Sequence, residues 1–180
     1  MGQYLQLMTP REFGDILQRD TMNLAAADAQ YKNDANRKYG HAFKAIEAYE
    51  VWLNSGDDEA RRQLEALRML GLFDRPATKD CLAALRSENI PGLNDSLSEG
   101  SDRDWGIALS RLQEINLVTV RRDESVDCHP LIREYFAMTL ETESKQTWQS
   151  AHRRLYEHLC ETTNEGDQPT LEQLQPLYQA

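Results

Sequence analysis

Apolar residues recur along this chain three and four positions apart, the spacing that lines one face of an α-helix. The first stripe is Phe13, Ile16 and Leu17. It follows Thr9-Pro10-Arg11-Glu12, in which Thr9 is placed to cap a helix, Pro10 to open it and Glu12 to close a capping box. Residues from about 23 to 38 are Ala-rich and then polar, as in a helix with a thin buried face. Gly40-His41-Ala42 interrupts, and Phe43, Ile46, Tyr49, Trp52 and Leu53 then share a strongly apolar face. Asn54-Ser55-Gly56-Asp57 reads as a turn and a boundary.

Beyond it, Ala60, Leu64, Leu67 and Leu70 predict a helix from about Asp58 to Leu70, with Gly71 as its C-cap. Asp74-Arg75-Pro76 breaks the pattern, and Thr78 to Arg86 is a short helix carrying Cys81, Leu82 and Leu85. Ser87 to Gly100 is a polar loop with one helical turn near Leu93 to Leu97. Ser101 opens the next helix, on which Trp105, Ala108, Leu109, Leu112 and Ile115 share a face. Leu117 to Val120 and Ser125 to Cys128 are strand signals around a turn at Arg121 to Glu124. Leu131, Ile132, Tyr135, Phe136 and Leu140 mark a helix to about Glu141, and Trp148, Ala151, Leu155 and Leu159 mark another. After a polar loop from Thr163 to Gln168, Thr170 caps a last stripe of Leu171, Leu174, Leu177 and Tyr178. Three helices followed by a hairpin is the order of a winged helix.

Composition narrows the chemistry. The chain has 180 residues, 40% of them hydrophobic, which suits one or two small domains with a real core. It has no apolar run long enough to span a bilayer, and no signal-peptide pattern at its N-terminus. Cys81, Cys128 and Cys160 are widely spaced and odd in number, which argues for a reducing, cytoplasmic setting. The net charge of −10 argues against nucleic acid, whose nonspecific affinity rests on Lys and Arg. The helix that would enter a major groove carries Arg103, Asp104, Arg111 and Glu114, which sum to zero. His152, His158 and Cys160 do not have the spacing of a helical metal pair, so no metal is expected. No Ser–His–Asp or Cys–His arrangement is legible, and the chain reads as a non-enzyme.

Three segments, in order, resemble the STAND ATPases, the NB-ARC-like signalling switches. Thr9-Pro10 with Phe13 and Leu17, then Gly40-His41-Ala42-Phe43-Lys44-Ala45-Ile46, looks like the small helical domain after the nucleotide-binding core. Leu67 to Pro76 with Cys81 to Arg86 looks like the opening of the winged helix in bacterial members. Cys128-His129-Pro130-Leu131-Ile132-Arg133-Glu134-Tyr135-Phe136 looks like the motif read Met-His-Asp in the family. The tail from Thr170 resembles the start of a tetratricopeptide-type (TPR) repeat array. The chain departs from the family in three places. It has no Gly-x-x-x-x-Gly-Lys-Ser/Thr loop, Ala42 stands where the family often has Pro, and Pro130 stands where it has Asp.

The resemblance implies a mainly α fold: a helical bundle, a winged helix-turn-helix with a two-stranded β-wing, and the start of a helical-repeat region. The expected domains are 1–56, 57–143 and 144–180. In an intact parent, His129 would sense the phosphates of bound ADP, with Gly40 and His41 near the nucleotide. The chain alone would hold no cofactor and hydrolyse no ATP, since the phosphate cradle is missing. It would act in signal transduction by contacting an upstream nucleotide-binding domain or another protein. Leu171, Leu174, Leu177 and Tyr178 would form the contact surface, through self-association or by packing on the helix bearing Leu155 and Leu159, because so short a helix is not stable alone. The alternative reading is a winged-helix DNA-binding transcription regulator.

Overall fold

The structure is a computed structural model that describes residues 40–98 and 102–162, and the side chains from Ala42 onward. The expected helices before Gly40, the Ser101 cap and the Leu171 to Tyr178 stripe lie outside the described residues. The described chain is mainly helical with one small antiparallel sheet. Its elements are α1 (Gly40–Asn54), α2 (Asp58–Leu70), α3 (Lys79–Arg86), α4 (Asp102–Glu114), β1 (Val118–Val120), β2 (Val126–Cys128), α5 (Pro130–Glu143) and α6 (Lys145–Thr162).

Helix α2 is the centre of the described residues. Leu64, Ala66, Leu67, Met69 and Leu70 are all buried, so it is covered on most sides, by α1, α4, α5 and β2. Asp57 caps it by accepting the Ala60 N–H at 2.9 Å, and Asp58 and Glu59 lie in its positive first turn. Gly71 is the C-cap as expected, with helical φ of −64°. A Cβ built there would stand 2.7 Å from the Phe136 Cβ and 3.0 Å from the Ala137 nitrogen. Glycine is required because the end of α2 meets the α5 backbone.

The end of α4 is set by Asn116, whose φ of 59° is left-handed. The Leu117 N–H then reaches the Leu112 carbonyl at 2.9 Å and the Asn116 N–H the Gln113 carbonyl at 3.0 Å. These two bonds, with Leu112 and Leu117 both buried, make a Schellman ending that turns the chain into β1. The strands pair Val118 with Cys128, Thr119 with Asp127 and Val120 with Val126. Alternation puts Val118, Val126 and Cys128 in the core. Ala77 adds an antiparallel bridge to Val126, which the Asp74-Arg75-Pro76 break had hidden.

Helix α1 takes in Gly40-His41-Ala42, and the residues before them lie outside the described ones. One expectation is corrected. Trp52 is not inward: Ile46, Tyr49 and Leu53 form the buried face, while Trp52 lies on its shoulder, 53% exposed. Its ring stacks on Tyr49 with centroids 5.5 Å apart. Buried residues of α1, α2, α5 and α6 join one continuous core cluster with those of α3, α4 and the sheet. Among the described residues no helix is long and apolar enough to cross a membrane.

Candidate functional site

The site begins at the junction of β2 and α5. The His129 N–H donates to the Leu117 carbonyl at 3.2 Å, extending the ladder by one bond beyond the hairpin. The next residue, Pro130, opens α5, where its missing N–H costs nothing. His129 is thus the N-cap, and its Nδ1 accepts the Leu131 N–H at 3.3 Å. A nitrogen that accepts carries no proton, so the neutral ring bears its proton on Nε2. Burial holds the His129 pKa below the ordinary histidine range. The positive end of α5 acts in the same direction.

The two elements that meet at His129 also carry a chain of charges. Asp127 sits between two arginines, its Oδ1 accepting from Arg133 at 2.5 Å and its Oδ2 from Arg121 at 2.8 Å. Arg133 also donates to the Asp74 backbone carbonyl at 2.6 Å. One arginine thus ties α5 to the hairpin and to the turn before α3. Cys128 is buried and its thiol is pushed up to about 11, chiefly by desolvation. It is therefore no nucleophile at neutral pH.

Helix α1 reaches α5 farther along. The Tyr135 hydroxyl donates to Glu50 at 2.8 Å, and Arg68 of α2 donates to the other oxygen of the same carboxylate at 2.8 Å. Phe43 meets the Tyr135 ring edge-on at 5.6 Å. Gly40 and His41 form the first turn of this helix, and their side-chain surroundings lie outside the described residues. Leu171, Leu174, Leu177 and Tyr178 are likewise outside them.

Sequence reading missed the polar groups that shape the loop from Ser87 to Ser98. Asn94 is fully buried, accepting the Ile90 N–H at 2.7 Å and donating to the Leu85 and Glu88 carbonyls at 2.8 and 2.9 Å. The buried Glu65 carboxylate accepts the Ser96 and Leu97 N–H groups, each at 2.9 Å. Desolvation raises the Glu65 pKa, and these bonds oppose the rise. An Asn in a polar loop and a Glu in an amphipathic helix carry no mark of such roles.

Several charges on α4 and the hairpin are engaged in ion pairs. Arg111 of α4 binds Glu59 at 2.9 Å and Glu114 at 3.3 Å. Asp104 pairs with Arg62, and Lys79 pairs with Glu124 on the hairpin turn. Trp105 is half-buried, with the Arg86 guanidinium 4.8 Å above its ring. Among the described residues no group of three His, Cys, Asp or Glu side chains is placed to hold a metal. Comparison with protein-family models, curated proteins and solved structures returned no match.

Proposed function

We propose that this chain is a non-catalytic regulatory module of a STAND-type signalling ATPase, in which a small helical domain, a winged helix and the first helices of a repeat array follow the nucleotide-binding core. It closes over the nucleotide site of the parent switch and couples the state of that site to the repeats. The observation that carries this reading is His129: a cap residue at a strand–helix junction, neutral through burial, with its proton on Nε2. Such an N–H donates to a phosphate oxygen without adding a charge that would trap the nucleotide. The Asp127–Arg133–Asp74 chain keeps the junction in place against the hairpin and the turn before α3. The order α2, α3, α4, β1, β2, with Ala77 bridging to β2, supports the winged helix. Coupling requires contacts that differ between two states. The Tyr135–Glu50–Arg68 cluster joins three helices and is the natural place for such a difference.

The coding sequence upstream, in frame or adjacent, should contain a P-loop. In the joined protein, His129→Ala should weaken ADP binding about tenfold or more, since a hydrogen bond to a charged group is worth ~1.5–3 kcal/mol. The isolated chain should bind neither ATP nor ADP by calorimetry. Sub-millimolar affinity of the isolated chain, or unchanged ADP affinity in the joined variant, would overturn the proposal. The same element order favours a second reading, a winged-helix transcription regulator. The ion pairs that engage Arg111, Lys79 and Arg121 weigh against it.

A further inference from the structure

The loop from Ser87 to Ser98 is joined by polar contacts to helices on either side of it. The Asn94 and Glu65 bonds hold its backbone at Ile90, Ser96 and Leu97. Pro91 and Gly92 are left exposed, and each reaches a different helix. The Pro91 carbonyl accepts the Thr147 hydroxyl of α6 at 2.8 Å. The Gly92 carbonyl accepts Nη1 of Arg68, on α2, at 3.4 Å. The Gly92 N–H donates to the Asp95 carboxylate at 2.9 Å. Gly92 has a left-handed φ of 83°, and a Cβ built there would stand 3.2 Å from the Thr147 hydroxyl oxygen. The loop thus meets the start of α6 at close range. Farther along α6, Arg154 donates to the Ser87 hydroxyl at 3.1 Å.

Arg68 has a second partner. Its Nη2 donates to Glu50 of α1 at 2.8 Å, and the other oxygen of that carboxylate accepts the Tyr135 hydroxyl of α5 at 2.8 Å. A guanidinium is planar and rigid, so its two terminal nitrogens are not placed independently. The Glu50 carboxylate therefore aims the nitrogen that reaches Gly92. We propose that Arg68 is a coupling residue: through Gly92 it ties the Glu50–Tyr135 contact between α1 and α5 to the seat of α6, so that loosening α1 loosens the first turn of α6. The strengths of the two bonds set the direction. The bond to Glu50 is short, charged on both sides and sheltered, the Glu50 side chain being 15% exposed. The bond to Gly92 is long and follows it. Helix α5 also packs directly on α6, a route that bypasses Arg68, and removal of Arg68 separates the two. The inference goes beyond the regulatory reading and does not depend on it.

Amide hydrogen exchange followed by NMR on the full chain tests this, because it reads local opening residue by residue. Glu50→Gln keeps the shape of the side chain and removes its charge. Two amides report on the far end: that of Gly92, and that of Trp148, which donates to the Ser144 carbonyl at 2.9 Å at the start of α6. Relative to the Leu82 amide of α3, which donates to the Thr78 carbonyl outside this chain of contacts, both should exchange about threefold or more faster in the variant. In an Arg68→Met background, adding Glu50→Gln should leave both ratios unchanged. Equal acceleration at Leu82, Gly92 and Trp148 would mean general loosening and would overturn the proposal, as would no acceleration at Gly92 and Trp148. An undiminished effect in the Arg68→Met background would assign the coupling to the direct α5–α6 contact and also overturn it. Should Glu50→Gln fail to fold, Tyr135→Phe, which removes one hydroxyl from the same cluster, takes its place and the same ratios decide.

Discussion

His129 and Glu65 are two partly or fully buried ionisable groups whose effects on stability run in opposite directions with pH. The His129 pKa is lowered by burial, so the unfolded chain binds its proton first on acidification. Its contribution is therefore intact above about pH 6.5, the unfolded value, and declines as pH falls toward the folded value. His129→Asn keeps a capping oxygen and removes the titration. Urea unfolding at pH 7.5 and 5.5 should show the wild type losing more stability over that step than the variant. Glu65 is raised, so its protonated form favours the fold, and its contribution is present at low pH and lost as pH rises through the folded value. The variant comparison isolates the His129 contribution from the other titrating groups. Glu65→Ala should cost about 1–3 kcal/mol at neutral pH, because the buried N–H of Leu97 and the half-buried N–H of Ser96 lose their acceptor. Equal denaturation midpoints for the two proteins would contradict it.

At the scale of elements, two joints carry specific demands. Gly71→Ala should destabilise by about 1–3 kcal/mol, since the added methyl drives α2 away from α5. Asn116→Val should cost about 1–2 kcal/mol through its left-handed φ, whereas Asn116→Gly should be tolerated; thermal unfolding separates the two. The helices themselves were legible, because Ala60, Leu64, Leu67 and Leu70, like Leu131, Ile132, Tyr135, Phe136 and Leu140, keep one periodic apolar face that is buried. The hairpin was legible from its Val-rich runs and polar turn. What periodicity could not supply were contacts made across the fold. Glu50 and Tyr135 are 85 residues apart, and Glu65 and Ser96 are 31 apart. A pattern that ranks Tyr135 as apolar is silent about its hydroxyl. Trp52 fell outside the stripe because an i+3 step from Tyr49 rotates to the shoulder of the buried face. Of the candidate site, the position of His129 was readable, but its capping bond and the Asp127–Arg133 support were not.

For the whole molecule, the charge of −10 and the engaged arginines set the expectation for nucleic acid. Fluorescence anisotropy with duplex DNA at physiological salt should show no sequence-specific binding; nanomolar affinity for one sequence would favour the transcription-regulator reading. The continuous core implies that α1, α2 and α5 unfold together, so tryptophan fluorescence and circular dichroism should give one coincident urea transition. The contact at Gly71 has a consequence for ancestry. A methyl at position 71 would collide with the Cβ of Phe136, and every amino acid except glycine brings that same atom to position 136. No exchange at 136 that keeps a core side chain could make room. The two helices can therefore stay this close only while glycine stays at 71, however far the surface drifts. Among chains too divergent to be aligned by overall similarity, a glycine closing the helix equivalent to α2 and facing a bulky apolar residue on the helix after the hairpin would mark descent from the same fold.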